Sequence, residues 1–124
     1  MAVMQSRNNR TFVAGEDLSA AQFKFVTLEA DGKVDLADSA GENCIGVLLN
    51  DPDAEGKAAT VCISGSVMVS CGGTVTGGGA VACDASGDAV DATTSDIIMG
   101  YARETGADGQ VIEMELIQGG NASA

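Results

Sequence analysis

Turn-forming residues punctuate this chain so closely that little room is left for anything but short strands. Its 124 residues include 17 Gly and a single Pro, and runs containing Val and Ile stand between clusters of Gly, Asp, Asn and Ser. That rhythm belongs to all-β proteins, and no segment shows a convincing amphipathic helical period; the nearest approach is one turn at 19–22. The stretch 61–71 carries the strand period directly. Val61, Ile63, Gly65, Val67, Val69 and Cys71 share one parity, and Cys62, Ser64, Ser66, Met68 and Ser70 share the other. Gly65 sits inside this run without breaking its parity, which predicts a bend, a bulge or a point of close backbone approach. Further strands are expected over 23–28, 44–49, 81–84, 97–102 and 112–116. In the last, Ile112, Met114 and Leu116 alternate with Glu113 and Glu115, which predicts one solvated face.

The pattern occurs twice. "TLEADGKVDLA", from Thr27, matches "ACDASGDAVDA", from Ala82, at an offset of 55, and "CIGVLLNDPDAEGKAATV" matches "IMGYARETGADGQVIEM" at about 54. Asp31-Gly32 and Ser86-Gly87 fall at the same point of the two hairpins, where a tight turn needs positive φ. Gly46 and Gly100 sit at the same point of the two buried strands. The expected fold is therefore all-β: a small single-domain β-barrel or sandwich built from two similar halves, roughly 23–65 and 78–117, within a domain spanning 18–117. Ahead of it lies an aperiodic segment, 1–17, read as an extended N-terminal arm; behind it, the small polar residues of 118–124 read as a flexible tail.

Charge and composition narrow the possible partners. The net charge is −12. Residues 1–10 carry Arg7 and Arg10 and no acid, so the other 114 residues carry −14. A body this acidic repels phosphate backbones and excludes nucleic acid as a partner. No apolar run is long enough for a signal peptide or a membrane span, which places synthesis in a cytoplasm and excludes a membrane partner. The four cysteines, Cys44, Cys62, Cys71 and Cys83, form no C-x-x-C pair, and the chain has no His; they read as separate small core residues, unlinked in a reducing compartment.

Three motifs invite a chemical reading and fall short of one. "CGGTVTGGGA", 71–80, fits a loose dinucleotide fingerprint at Gly77, Gly79 and Ala82, yet it leads into a strand and a turn where a phosphate loop needs a helix N-terminus. "NDPDAEGKAATVC" opens like a calcium loop with Asp51, Asp53 and Glu55, but Cys62 stands where the bidentate acid belongs. A nucleophile would need Lys as its base, and neither G-x-S-x-G nor S-x-x-K surrounds any serine. No enzyme activity, metal or cofactor is expected.

The order of elements is itself informative: an aperiodic arm, then "AAQFKFVTLEADGKVDLADSAGENCIGVLLNDP", then "VCISGSVMVSCGGTVTGGGAVACDASGDAV", then "IIMGYARETGADGQVIEMEL". Over about residues 16–117 this resembles the small capsid decoration, or cement, proteins of tailed bacteriophages, and is similar to the lambda-type head decoration proteins with their β-tulip fold. The resemblance implies a non-enzymatic homotrimer bound to the major capsid protein on the outer surface of the mature head, which it stabilises. With that role, segment 1–17 becomes the expected capsid contact, anchored by Arg7, Arg10, Phe12 and Val13. Two rivals stay open: the base domain of a head fibre or other virion spike, against which the short "QGGNASA" end argues, and a small-ligand-binding β-barrel, against which the shortage of aromatics argues.

Overall fold

The computed structural model describes residues 6–118 and 121–123; among them there are nine strands and no helix. They are β1 (Ser6–Ala14), β2 (Phe25–Leu28), β3 (Lys33–Leu36), β4 (Gly46–Leu48), β5 (Ala58–Ser70), β6 (Ala80–Cys83), β7 (Ala89–Asp91), β8 (Gly100–Ala102) and β9 (Val111–Leu116). Five of them close a barrel, because β1 pairs with β3 at one end of the series β1-β3-β2-β4-β5 and with β5 at the other. The closing contact is short, Val13↔Lys33 and Ala14↔Val34, so it seals the barrel at one end of β1 only.

The second half repeats the same connections around the same central strand. In the first, β2 pairs with β3 through Val26↔Leu36 and with β4 through Val26↔Gly46. In the second, β6 pairs with β7 through Val81↔Asp91 and with β8 through Val81↔Gly100, so each partner is displaced by 54 or 55 positions. β9 then takes the part that β5 plays in the first half, and the upper part of β5 takes the part of β1. Even the parallel closing contact recurs, as Ala14↔Val34 in one half and as the bridge Cys71↔Ala89 in the other. The fold is thus an all-β barrel with a second, similar set of strands hung on its longest member.

Gly65 explains how one strand serves two cores. It has φ of +105°, a region that disfavours any residue with a Cβ, and opposite it the ladder slips: Ser6 faces Gly65 while Asn8 faces Ser64, leaving Arg7 as the extra residue of a bulge. Below the bulge Val61 and the half-buried Ile63 pack with Ala14, Leu18, Val26, Val34, Leu48 and Ala59, which fill the barrel interior. Above it Val67, Val69 and Cys71, of the same parity, pack instead with Val81, Ala89, Met99, Ile112 and Met114. The outer face of the first barrel contributes Phe25, Val47 and Cys62 to that second core, so the second core is built from both halves.

The two buried glycines mark equivalent close approaches. A Cβ on Gly46 would meet the Cys62 carbonyl oxygen, and one on Gly100 would meet the Glu115 carbonyl oxygen; backbone cannot yield there as a flexible side chain can. The hairpin turns recur as well, with Gly32 at φ +83° and Gly87 at φ +80°.

Three expectations need correction. Residues 6–14 are no free arm, since Asn9 to Val13 pair residue by residue with Cys62 to Ala58; an unpatterned sequence forms a strand here because the neighbouring strands supply the hydrogen-bond template. Residues 1–5 of the expected arm lie outside the described residues. The described residues of the expected tail, 118 and 121–123, are tied down too: Gln118 Nε2 donates to the carbonyls of Ile45 and Ile63 at 2.7 and 2.9 Å, and Ala122 bridges to Ile97; 119, 120 and 124 lie outside the described residues. Glu113, expected on a solvated face, is only 5% exposed, because Arg103 Nη1 reaches over it at 2.9 Å and Ser66 Oγ donates to it.

If the two halves are equivalent, Gly46→Ala and Gly100→Ala will each destabilise by about 2–3 kcal/mol through overpacking against backbone. Gly32→Ala, whose Cβ would meet nothing within 4 Å, will cost about 1–2 kcal/mol from its positive φ alone. Urea unfolding of the three variants measures this, and a Gly46 variant no weaker than the Gly32 variant would contradict the close-approach account.

Candidate functional site

The motifs that suggested chemistry are occupied by the fold itself. In "CGGTVTGGGA" the amides that would cradle a phosphate already donate to protein acceptors: Gly72 to the Ala89 carbonyl at 2.9 Å, Val75 to Gly106 at 2.9 Å and Gly78 to Ala102 at 2.8 Å. Thr76 N donates to Asp91 Oδ1 at 2.8 Å and Gly77 N to Thr105 Oγ1 at 3.0 Å. The loop crosses from one half to the other, and an incoming anion would meet Asp84, Asp88 and Asp91 around it. The loop opened by Asp51 is likewise committed. Lys57 Nζ lies 2.6 Å from Asp53 Oδ1 and Lys33 Nζ 3.0 Å from Glu55 Oε2. The hydrogen bond from Lys57 holds the Asp53 carboxyl below its ordinary range. Among the described residues no group of three or more Cys, Asp or Glu is placed to hold a metal.

One open cleft, of about 330 Å³, is lined by five carboxylates, Glu16, Glu29, Asp35, Asp38 and Glu42. Two of them serve the local backbone. Glu16 Oε2 accepts from Leu36 N at 2.9 Å, and Glu42 Oε2 accepts from Asp38 N and Ser39 N at 2.9 and 2.8 Å. Asp35 differs. Its Oδ1 is buried without a hydrogen-bond partner, and burial, followed by the repulsion of Glu16, Glu29, Asp31 and Asp38, raises its pKa above the ordinary 3.8. The barrel interior offers no lumen for a small ligand, since Val26, Val34, Leu48, Val61, Ala14 and Ala59 fill it and are all fully buried.

The contact residues expected from sequence fall together on β1. Arg10 and Val13 are exposed, Val13 at 43%; Phe12 is half-buried and packs against the barrel core. Arg7 is the bulged residue, and its side chain lies outside the described residues. Two properties distinguish this strand. Its far edge pairs with β3 only through Val13 and Ala14, so among the described residues no strand pairs with that edge from Ser6 to Phe12. An open edge is a template for a strand from another chain.

Its charge is the second property. Among the described residues every later cation is matched: Lys24 with Asp88, Lys33 with Glu55, Lys57 with Asp53, and Arg103 with Glu113 and Glu115. Arg10 alone among these described side chains has no carboxylate within ion-pair distance. The sequence did not disclose the edge, because pairing on one side only is a property of topology.

The Asp35 carboxyl gives the cleft a measurable pH signature. Its raised pKa means that the fold disfavours the ionised form; the penalty is absent below the unfolded value and complete above the folded one. Asp35→Asn will therefore raise the melting temperature at pH 7, on the order of 2–5 °C, and leave it unchanged near pH 3. Scanning calorimetry at both values checks this, and an equal gain at both would contradict it.

A scan of family models finds none that matches the chain, and a search among curated proteins finds no match. Among solved structures, the chain is similar to the N base of the head fibre protein gp8.5 of bacteriophage phi29, with a TM-score of 0.72 at 16% identity. The alignment covers 94% of this chain and 98% of that one, so the likeness in fold takes in both halves and the strand that closes the barrel.

Proposed function

We propose that this chain is a non-enzymatic structural domain of a bacteriophage virion, seated on the outer face of the capsid as the base of a head appendage. The observation that carries this reading is the similarity, along almost the whole of both chains, to the phi29 head fibre base. Fold alone does not give function, and the surface of this chain supports the same conclusion. Its interior is packed, and among the described residues β1 pairs with β5 alone from Ser6 to Phe12 and carries Arg10, which has no carboxylate within ion-pair distance.

The contact we propose is addition of a strand of the major capsid protein to β1 between Ser6 and Phe12. Main-chain hydrogen bonds supply affinity there, and Arg10 selects for a carboxylate on the incoming strand. Arg7, the bulged residue, lies within the contact and Val13 flanks it, while Phe12 fixes the strand to its own core. Each edge is short and weak, so the unit works as an oligomer, a homotrimer in the pattern of the decoration proteins, in which several edges add. Bridging capsid subunits in this way would also stabilise the mature head. The −14 carried beyond residue 10 keeps crowded copies apart from one another and from nucleic acid.

Deleting the N-terminal segment is a poor test, because it removes a barrel strand. Point changes on the exposed side of β1 leave the pairing with β5 intact. Purified protein will co-sediment with expanded, DNA-free heads of the phage that encodes it. Arg10→Glu will weaken that binding at least about tenfold, the loss of one charge-assisted contact, without lowering the melting temperature by more than a few degrees. Binding equal to that of the unmodified protein, by a variant with an unchanged melt, would overturn β1 as the contact.

A further inference from the structure

The four cysteines do not stand in equivalent places. Cys62 Sγ donates to the carbonyl of Ser64 at 3.3 Å, and Cys71 closes against Gly106. Cys44 and Cys83, by contrast, meet. Cys44 lies in the segment leading into β4, in the first half, and Cys83 ends β6, in the second. Their sulfurs share one acceptor, the Glu42 carbonyl oxygen, at 3.6 and 3.7 Å. Cys83 Sγ is also 3.5 Å from the Ser39 carbonyl. The backbone holds them in register, with Gly41 N donating to the Cys83 carbonyl at 2.9 Å and Ile45 N to that of Val26 at 2.9 Å. Both residues are buried, at 2% and 0% exposure, yet Asp38, Ser39, Ala40 and Asn43 of the covering segment are exposed.

We propose that Cys44 and Cys83 are a latent disulfide site, which an oxidising small-molecule disulfide converts into a covalent link between the two halves of the fold. Local opening of 38–45 exposes Cys44. Its thiolate attacks one sulfur of oxidised glutathione, breaking that S–S bond, and releases one glutathione thiolate. Cys83, deprotonated in turn, attacks the Cys44 sulfur of the mixed disulfide and expels the second glutathione. The two protein thiols lose two electrons, the glutathione disulfide gains them, and the two protons end on the two glutathione thiols. In the closed state the neighbouring Cys83 thiol and burial push the Cys44 thiol well above its ordinary range, so reaction waits on opening. The bond constrains a loop of about 40 residues in the unfolded chain and ties the segment before β4 to β6. Only its timing, after release from a reducing cytoplasm, rests on the virion reading; the bond itself does not.

The test uses the full chain and no capsid. After incubation with oxidised glutathione at pH 8 the protein will be about 2 Da lighter, the loss of two hydrogens, and alkylation under denaturing conditions with peptide mass mapping will then show Cys44 joined to Cys83 and Cys62 and Cys71 alkylated. Its melting temperature will rise by about 10 °C and return on reduction, and Cys44→Ser and Cys83→Ser will each abolish the rise. Four alkylatable thiols after prolonged oxidation in mild denaturant, or a link between any other two cysteines, would overturn the proposal. Mapping of the unmodified chain decides this even if a variant fails to fold.

Discussion

Everything in this fold depends on β5 and on the change of face it makes at Gly65. Thirteen residues, Ala58–Ser70, pair with β1 and β4 below the bulge and with β9 above it. The positive φ at Gly65 lets side chains of one parity, Val61 and Val67, enter two different cores. A residue with a Cβ there would resist that conformation. Without the switch, one of the two halves would turn its apolar strand face to water.

A shared central strand also accounts for the composition. Each half is too small to bury a core built from Val, Ala, Leu and Cys with few aromatics. Joined on β5, with Phe25, Val47 and Cys62 packing outward from the first barrel into the second core, the halves complete each other. Gly46 and Gly100 permit the tight approach of β4 to β5 and of β8 to β9 that such small side chains require.

Much of this was readable in the sequence. The hairpins at Asp31-Gly32 and Ser86-Gly87, the paired glycines at 46 and 100 and the alternation of 61–71 all report local rules, turn chemistry and strand period, which a chain must satisfy wherever it goes. Other features depended on what lies across the sheet. Residues 6–14 have no apolar period because one face of β1 and most of one edge remain exposed, so the segment read as an arm. Glu113 alternates like a solvated residue and is buried because Arg103, just after β8, and Ser66 of β5 reach it. Arg10 was visible as a charge anomaly and Val13 as an apolar neighbour, whereas the edge beside them was set by which strands close the barrel. The meeting of Cys44 with Cys83 was invisible for the same reason: 39 positions separate them, and only the packing of one half on the other brings their sulfurs to one carbonyl.

The central claim is that a capsid strand adds to the open edge of β1. Hydrogen–deuterium exchange, followed on the free protein and on the protein bound to expanded heads, tests it most directly. The account predicts that outward-facing amides between Ser6 and Phe12 exchange quickly in the free protein and become protected on binding, with the amides of β6 to β9 unchanged. Protection confined to the β6–β9 half, with β1 unaltered, would contradict it.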